Sequence, residues 1–186
     1  MSSIIYKRAL SEEELQGAYR VRFQTLTLQN GDTRYADFEK KIYKDFTDEG
    51  NTRVYIAVSH TGGGVLGTVR LTLREEYGRP FTAEDFYNFP QLANDVGSTW
   101  RELLHKVALI ERGGVLLEYQ NKEVWKQLVR FALEDIKNSE AKIIVGAIEV
   151  TNEVGLHAFE IAGWTIVKKE KEYKEKKYYL IYLNLT

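Results

Sequence analysis

Residues 105–150 constrain the fold most. A strand, HKVALIERGGVLL (105–117), leads into an amphipathic helix over 122–138 built on Val124, Leu128, Phe131, Ala132 and Ile136. A near-continuous apolar run, AKIIVGAIEV (141–150), follows. Such a run marks a strand buried on both faces. Strand, helix and strand in this order imply a right-handed crossover and some parallel pairing. Gly113 and Gly114 fall inside the first strand. Glycines there predict a bulge or a close backbone approach.

The flanking elements fit around this unit. Residues 3–9 read as a short strand. Ser11 and Glu14 form a Ser-x-x-Glu capping box, which opens a helix running to about residue 28. A second, polar helix is expected over 33–46. Residues 52–59 alternate Val54, Ile56, Val58 and pair as a hairpin with 65–73. Residues 74–100 show no clear period, and a loop of that length is often functional. A short helix over 152–162 ends at Gly163, and strands follow at 164–169 and 177–185. The expected fold class is α/β (α+β): a single domain over 1–186 whose mixed, mostly antiparallel sheet is flanked by helices on both faces.

Composition excludes several functions. The 26 Lys and Arg nearly cancel the 27 Asp and Glu, leaving a formal charge of −1. No global field draws in nucleic acid or an anionic membrane. With no cysteine, there is no disulfide framework, thiolate nucleophile or Cys-ligated zinc. The three histidines (His60, His105, His157) lack a helical metal spacing, so no metal is expected. The N-terminal MSSIIYKRAL has no apolar signal core, and no apolar run is long enough to span a membrane. The expectation is a cytoplasmic protein without a membrane span.

Three features then resemble the GNAT superfamily of CoA-dependent N-acyltransferases. One is the strand ending ERGGVLLEYQNK, and another is the helix that follows at once. The third is the spacing Asn152, Gly155, Ala158, Phe159, Gly163, Trp164. The resemblance implies a GNAT-like fold and an acetyl-CoA or acyl-CoA donor. The pantetheine arm would lie along Val115, Leu116 and Leu117, pairing with their backbone as an added strand does. One free N–H near 115–117 would steady the thioester oxygen as it gains charge. The pyrophosphate would meet Gln120, Asn121, Lys122, Glu123, Val124, Trp125 and Lys126 at the start of the helix. Asn152 and Phe159 would line the arm.

The chain departs from that pattern in three places. Glu123 and Trp125 stand where the superfamily's loop has small residues. Phe159 stands where a tyrosine is commonly the general acid, and Tyr119 is a candidate to replace it. A thiolate leaves readily, so loss of that acid need not abolish transfer.

A narrower resemblance joins AYRVRF (18–23), GTVRL (67–71) and Arg112 to the autoinducer synthase and N-acyl amino acid synthase branch, whose members take acyl groups from acyl carrier protein. There the acidic residue three before the arginine is Leu109 in this chain, with Glu111 adjacent instead.

Arg22 lies within the apolar face of the first helix. It is either a buried ion-pair partner or a clamp for an acceptor carboxylate. Arg70 is either a salt-bridge residue or an acceptor contact, and Arg112 belongs to the same substrate set. Glu111 is the candidate general base, with a partner for Arg112 or Lys106 as its structural alternative. The aromatic loop with Phe81, Phe86, Tyr87, Phe89 and Trp100 is either a lid or cover for the sheet. The run KKEKEYKEKK (168–177) is a solvated hairpin tip or a docking site for an acidic carrier.

The expected activity is acyl transfer from a CoA thioester to a small-molecule amine by direct attack. The alternatives are a carrier-protein-dependent N-acyl amino acid synthase and a non-catalytic GNAT-fold binding module. The sequence leaves a homodimer open.

Overall fold

In the computed structural model, residues 3–50, 52–62, 64–73, 87, 90–120, 123–173 and 175–185 are described. β1 (Ile4–Arg8) opens the chain. α1 (Glu12–Arg22) begins at the expected capping box: the Glu14 N–H donates to Ser11 Oγ, and the Ser11 N–H donates to Glu14 Oε2. Beyond Arg22 the helix widens into a π-helix, Phe23–Gln29. There Thr25 Oγ1 donates to the Val21 carbonyl and Thr27 Oγ1 to that of Asp32. These side-chain bonds compete with the regular ladder.

The polar helix expected over 33–46 is absent. In its place β2 (Ala36–Asp37) and β3 (Ile42–Tyr43) form a small hairpin, and Phe46–Glu49 is a 3₁₀ turn. The cause is local. Asp32 accepts from the Arg34 N–H, Asp37 from the Lys40 N–H and Asp45 from the Thr47 N–H. Each short acidic side chain ties down nearby backbone and favours turns over helix.

β4 (Arg53–Ser59) and β5 (Val65–Leu73) form the expected hairpin. The stretch 74–100, read as irregular, holds two short helices, α2 (Pro90–Val96) and α3 (Trp100–Leu103). Phe81, Phe86 and Phe89 lie outside the described residues. β6 (Val107–Val115), α4 (Val124–Ile136), β7 (Ile143–Glu149), α5 (Glu153–Ile161), β8 (Thr165–Tyr173) and β9 (Lys176–Asn184) complete the order. The lysine run is not only a tip, because β8 and β9 extend through it. One seven-stranded mixed sheet has the order β1-β4-β5-β6-β7-β9-β8. β6 pairs in parallel with β7, but only from Val107↔Ile143 to Leu109↔Val145.

The chain divides into two units, Met1–Leu71 with Glu111–Lys137, and Thr72–Ile110 with Asn138–Thr186. In the first, alternate residues of β4 serve two helices. Val54, Ile56 and Val58 pack with Ala18 of α1, while Ala57 packs with Val124 of α4. Tyr55 shares the α4 face: its ring meets Phe131 edge-on and its hydroxyl donates to Asp135 at 2.6 Å. Thr68 and Arg70 sit opposite Ile56 and Val54, and therefore on the α1 face. In the second unit, Leu109, Ile143, Val145, Val167 and Leu180 form the core with Tyr87 and Leu92.

Candidate active site

Two buried arginines on the α1 face need carboxylate partners, because an unpaired buried charge is costly. The 3₁₀ turn supplies them. Asp45 caps it, and Asp48 reaches back to the Asp45 N–H at 3.1 Å. Arg22 Nη1 donates to Asp48 Oδ1 at 2.8 Å. Arg70 Nη1 lies 2.7 Å from Asp45 Oδ1 and 3.0 Å from Asp48 Oδ1. Arg70 Nη2 donates to Asp45 Oδ2 at 3.1 Å and to Glu111 Oε2 at 2.9 Å. Arg112 Nε donates to Asp45 Oδ2 at 2.7 Å. Three guanidinium groups thus balance three carboxylates.

Burial alone would raise the Asp45 pKa, but Arg70 and Arg112 outweigh it and hold the carboxyl well below its usual range. Burial also works to lower the Arg70 pKa; the carboxylates of Glu111, Asp48 and Asp45 overcome it and leave the pKa raised. For Arg22 burial wins, and its pKa is lowered despite Asp48.

β6 brings Glu111 and Arg112 to this network by breaking its own alternation. Adjacent strand residues ordinarily point to opposite faces. Arg112 has φ +53°, a conformation costly for a side-chain-bearing residue and concentrated at functional sites. Its guanidinium stacks over the rings of Tyr35 and Tyr43, 5.4 Å from each centroid. Tyr43 is fixed in turn by donating to Asp32 at 2.8 Å. Within the network, the Glu111 and Arg112 side chains keep 24% and 20% exposure, whereas Arg22 and Arg70 keep 0% and 1%.

The structure gathers Arg22, Arg70, Glu111 and Arg112 in one network of ion pairs. It adds Asp45, Asp48, Tyr35 and Tyr43, which sequence reasoning missed. The missed signal was charge balance: two arginines on apolar faces require acidic partners, and Asp45-Phe-Thr-Asp48 is a capping pair spaced to supply them.

The expected donor residues lie at the end of β6 and the start of α4. A Cβ on Gly113 would fall 2.4 Å from the Trp125 ring, and one on Gly114 would fall 2.2 Å from Thr25 Oγ1. Side chains, not the expected backbone, make the close approach at both glycines. The Leu116 N–H donates to the Leu66 carbonyl at 2.9 Å, and Gln120 Nε2 donates to the Val115 carbonyl at 3.0 Å. These two backbone groups of the expected arm site are therefore engaged within the protein. Leu117 is exposed, while Val115 and Val124 are buried with Ala57, and Tyr119 packs at the margin of that cluster. Glu123 precedes α4 with φ +58°, its side chain caps nothing, and it pairs with Lys126 at 3.4 Å. Asn121 and Lys122 lie outside the described residues.

Asn152 and Phe159 belong to the second unit and build α5. Asn152 Oδ1 caps it by accepting from the Gly155 N–H at 2.9 Å. Phe159 is buried, with its ring centroid 4.9 Å from that of Trp164. Gly163, at φ +82°, ends the helix. The spacing that carried the resemblance is thus itself the stop-and-start code of one helix.

Among the described residues, no helix is long and apolar enough to cross a membrane. Nor does any group of three or more His, Asp or Glu stand where it could hold a metal ion. Asp45, Asp48 and Glu111 are occupied by arginines.

The seven-stranded mixed sheet with its flanking helices is the fold of the GNAT acyltransferases, as the solved structures it matches attest. FeeM, an N-acyl amino acid synthase from uncultured soil microbes, superposes with a TM-score of 0.71 at 14% identity, over 100% of this chain and 92% of its own. BjaI, a CoA-dependent acyl-homoserine lactone synthase, gives 0.70 at 17% identity, over 100% and 84%. A protein assigned to the GNAT family of acetyltransferases from Desulfovibrio desulfuricans gives 0.65 at 10% identity, over 99% and 100%. No protein-family model and no curated protein sequence matches the chain.

Proposed function

We propose that the protein is an N-acyltransferase that moves an acyl group from a thioester donor to an amine. The observation that carries this reading is the bend at Glu111–Arg112. It presents a carboxylate and a guanidinium side by side at the exposed end of an otherwise buried network. An ammonium acceptor must lose a proton before it attacks. Glu111 Oε2 is held by Arg70, and Oε1, which has no hydrogen bond among the described residues, is the atom proposed to take that proton. Arg112, aimed by Asp45 and stacked on two tyrosines, suits an anionic group of the acceptor. The amine then attacks the thioester carbon directly, since no cysteine can form an acyl-enzyme. The Leu116 N–H is engaged, so the role of steadying the thioester oxygen is proposed for a neighbouring backbone N–H, that of Val115 or Leu117. The thiolate departs with the pair of electrons from the broken C–S bond.

A long-chain or acetyl CoA thioester is the first donor to test. A second reading is favoured by Glu123, whose carboxylate stands at the start of α4 where a pyrophosphate would approach. A carrier-protein arm lacks that nucleotide and so avoids the repulsion. Paired with Arg112, this makes the protein an N-acyl amino acid synthase fed by a carrier.

Calorimetric titration with acetyl-CoA and a longer acyl-CoA decides the donor. Micromolar binding, about −8 kcal/mol, followed by amine turnover that Glu111→Gln abolishes, supports the first reading. No CoA binding, together with shifts in the spectrum of an added acyl carrier protein, supports the second. Thioester binding without turnover of any amine would leave a non-catalytic binding module and sink both.

A further inference from the structure

Five buried side-chain polar atoms have no hydrogen-bond partner among the described residues: Arg22 Nε and Nη2, Arg70 Nε, Thr68 Oγ1 and Thr72 Oγ1; the first four belong to the α1 face of the first unit. Native proteins rarely leave such groups unmatched. The side chains are neighbours. Thr68 and Arg70 are alternate residues of β5, facing Ile56 and Val54 of β4. Arg22 and Arg70 each bring Nη1 to the same oxygen, Asp48 Oδ1, at 2.8 and 3.0 Å. Arg22 and Thr68 are both fully buried.

The chemistry of these atoms selects the occupant. The guanidinium atoms can only donate, so they need an oxygen acceptor. The surrounding charges already cancel, with Arg22, Arg70 and Arg112 set against Asp45, Asp48 and Glu111. A carboxylate or phosphate would bring an uncompensated charge into a closed site. A water molecule is neutral, accepts from guanidinium groups and exchanges a hydrogen bond with a hydroxyl. Buried waters typically make about three such bonds.

We infer that one or more bound waters join Arg22, Arg70 and Thr68, and that Thr68 acts through them as a positioning residue for Arg70. Arg70 in turn holds Glu111 by its Nη2. The effect on turnover rests on the acyltransferase reading above; the water site does not.

A high-resolution crystal structure of the full chain, grown without carboxylate or phosphate buffers, tests the site. Single-atom density within hydrogen-bond distance of Thr68 Oγ1 and of Arg22 or Arg70 is the expected result. Side chains that close on one another with no water between them, or a multi-atom anion in the site, would overturn it. For the role of Thr68, Thr68→Val is compared with Thr68→Ser, both first checked for an unchanged fold by circular dichroism. Once an amine substrate is in hand, Thr68→Val should lower kcat by about tenfold to a hundredfold, the scale of a misplaced catalytic group. Donor KM should stay unchanged and Thr68→Ser should restore kcat. An unchanged kcat in Thr68→Val, or no rescue by Thr68→Ser, would overturn the positioning role. Absence of turnover in the wild-type protein would count against the acyltransferase reading and leave the crystallographic result standing.

Discussion

Asp45 links the two halves of the charge network, since Arg70 and Arg112 both lean on it while its own side chain is 1% exposed. Asp45→Asn leaves both cations short of a partner. The expected loss is about 3–5 kcal/mol, read from urea unfolding. The pH dependence has a definite sign. Asp45 has a depressed pKa in the folded state, so its contribution is present above the ordinary aspartate value near 4 and is lost as pH falls below it. Melting temperature should therefore drop steeply below about pH 4, and more shallowly in Asp45→Asn. At Gly113 the constraint is steric: Gly113→Ala drives a methyl into the Trp125 ring, at a cost of about 1–3 kcal/mol. Combining it with Trp125→Leu should recover part of the loss in a double-mutant cycle, and strict additivity would show the two are uncoupled. Sequence alone offered Arg22 as a candidate because a charge on an apolar helix face is conspicuous, while Arg70, Glu111 and Arg112 rested on strand position and on the resemblance. Their acidic partners were missed, since Asp45 and Asp48 look like ordinary turn residues unless the need of buried arginines for carboxylates is followed through.

Elements with strong periodicity were legible to within a residue or two. β4 and β5 follow the alternation of Val54, Ile56 and Val58, and α4 follows its apolar stripe. Others were not, and two of them show why. The segment 33–46 has helix-compatible composition, but Asp32, Asp37 and Asp45 each capture nearby backbone and turn it into a hairpin and a 3₁₀ turn. The π-helix after Arg22 has no hydrophobic signature of its own; it emerges from threonine hydroxyls bonding to the backbone. At the other end of α1, the capping box makes a simple prediction. Ser11→Ala should cost about 1 kcal/mol and lower the melting temperature by roughly 2–4 °C. A melt unchanged by that substitution would mean that packing alone sets the start of α1.

The parallel crossover at 105–150 was the strongest constraint in the sequence, and the whole sheet order grew around it. Donor choice was not legible in the sequence, because it turns on how the Glu123 carboxylate and the Trp125 indole at the start of α4 meet a nucleotide. Ligand linkage provides a measurement on the intact molecule. A true donor at about a hundred times its Kd should add about 2.7 kcal/mol of stability, or roughly 5–10 °C in Tm. A thioester that leaves Tm unmoved at that excess is not bound by the folded state.

The sheet ends at β8, an outermost strand that carries the exposed Lys168 and Lys169. Unpaired strand edges invite another chain to add itself, and lysines are a common means of discouraging this. The charged run thus has a use that needs no partner. Lysines on such an edge disfavour edge-to-edge pairing, which matters for a chain whose net charge of −1 gives little mutual repulsion elsewhere.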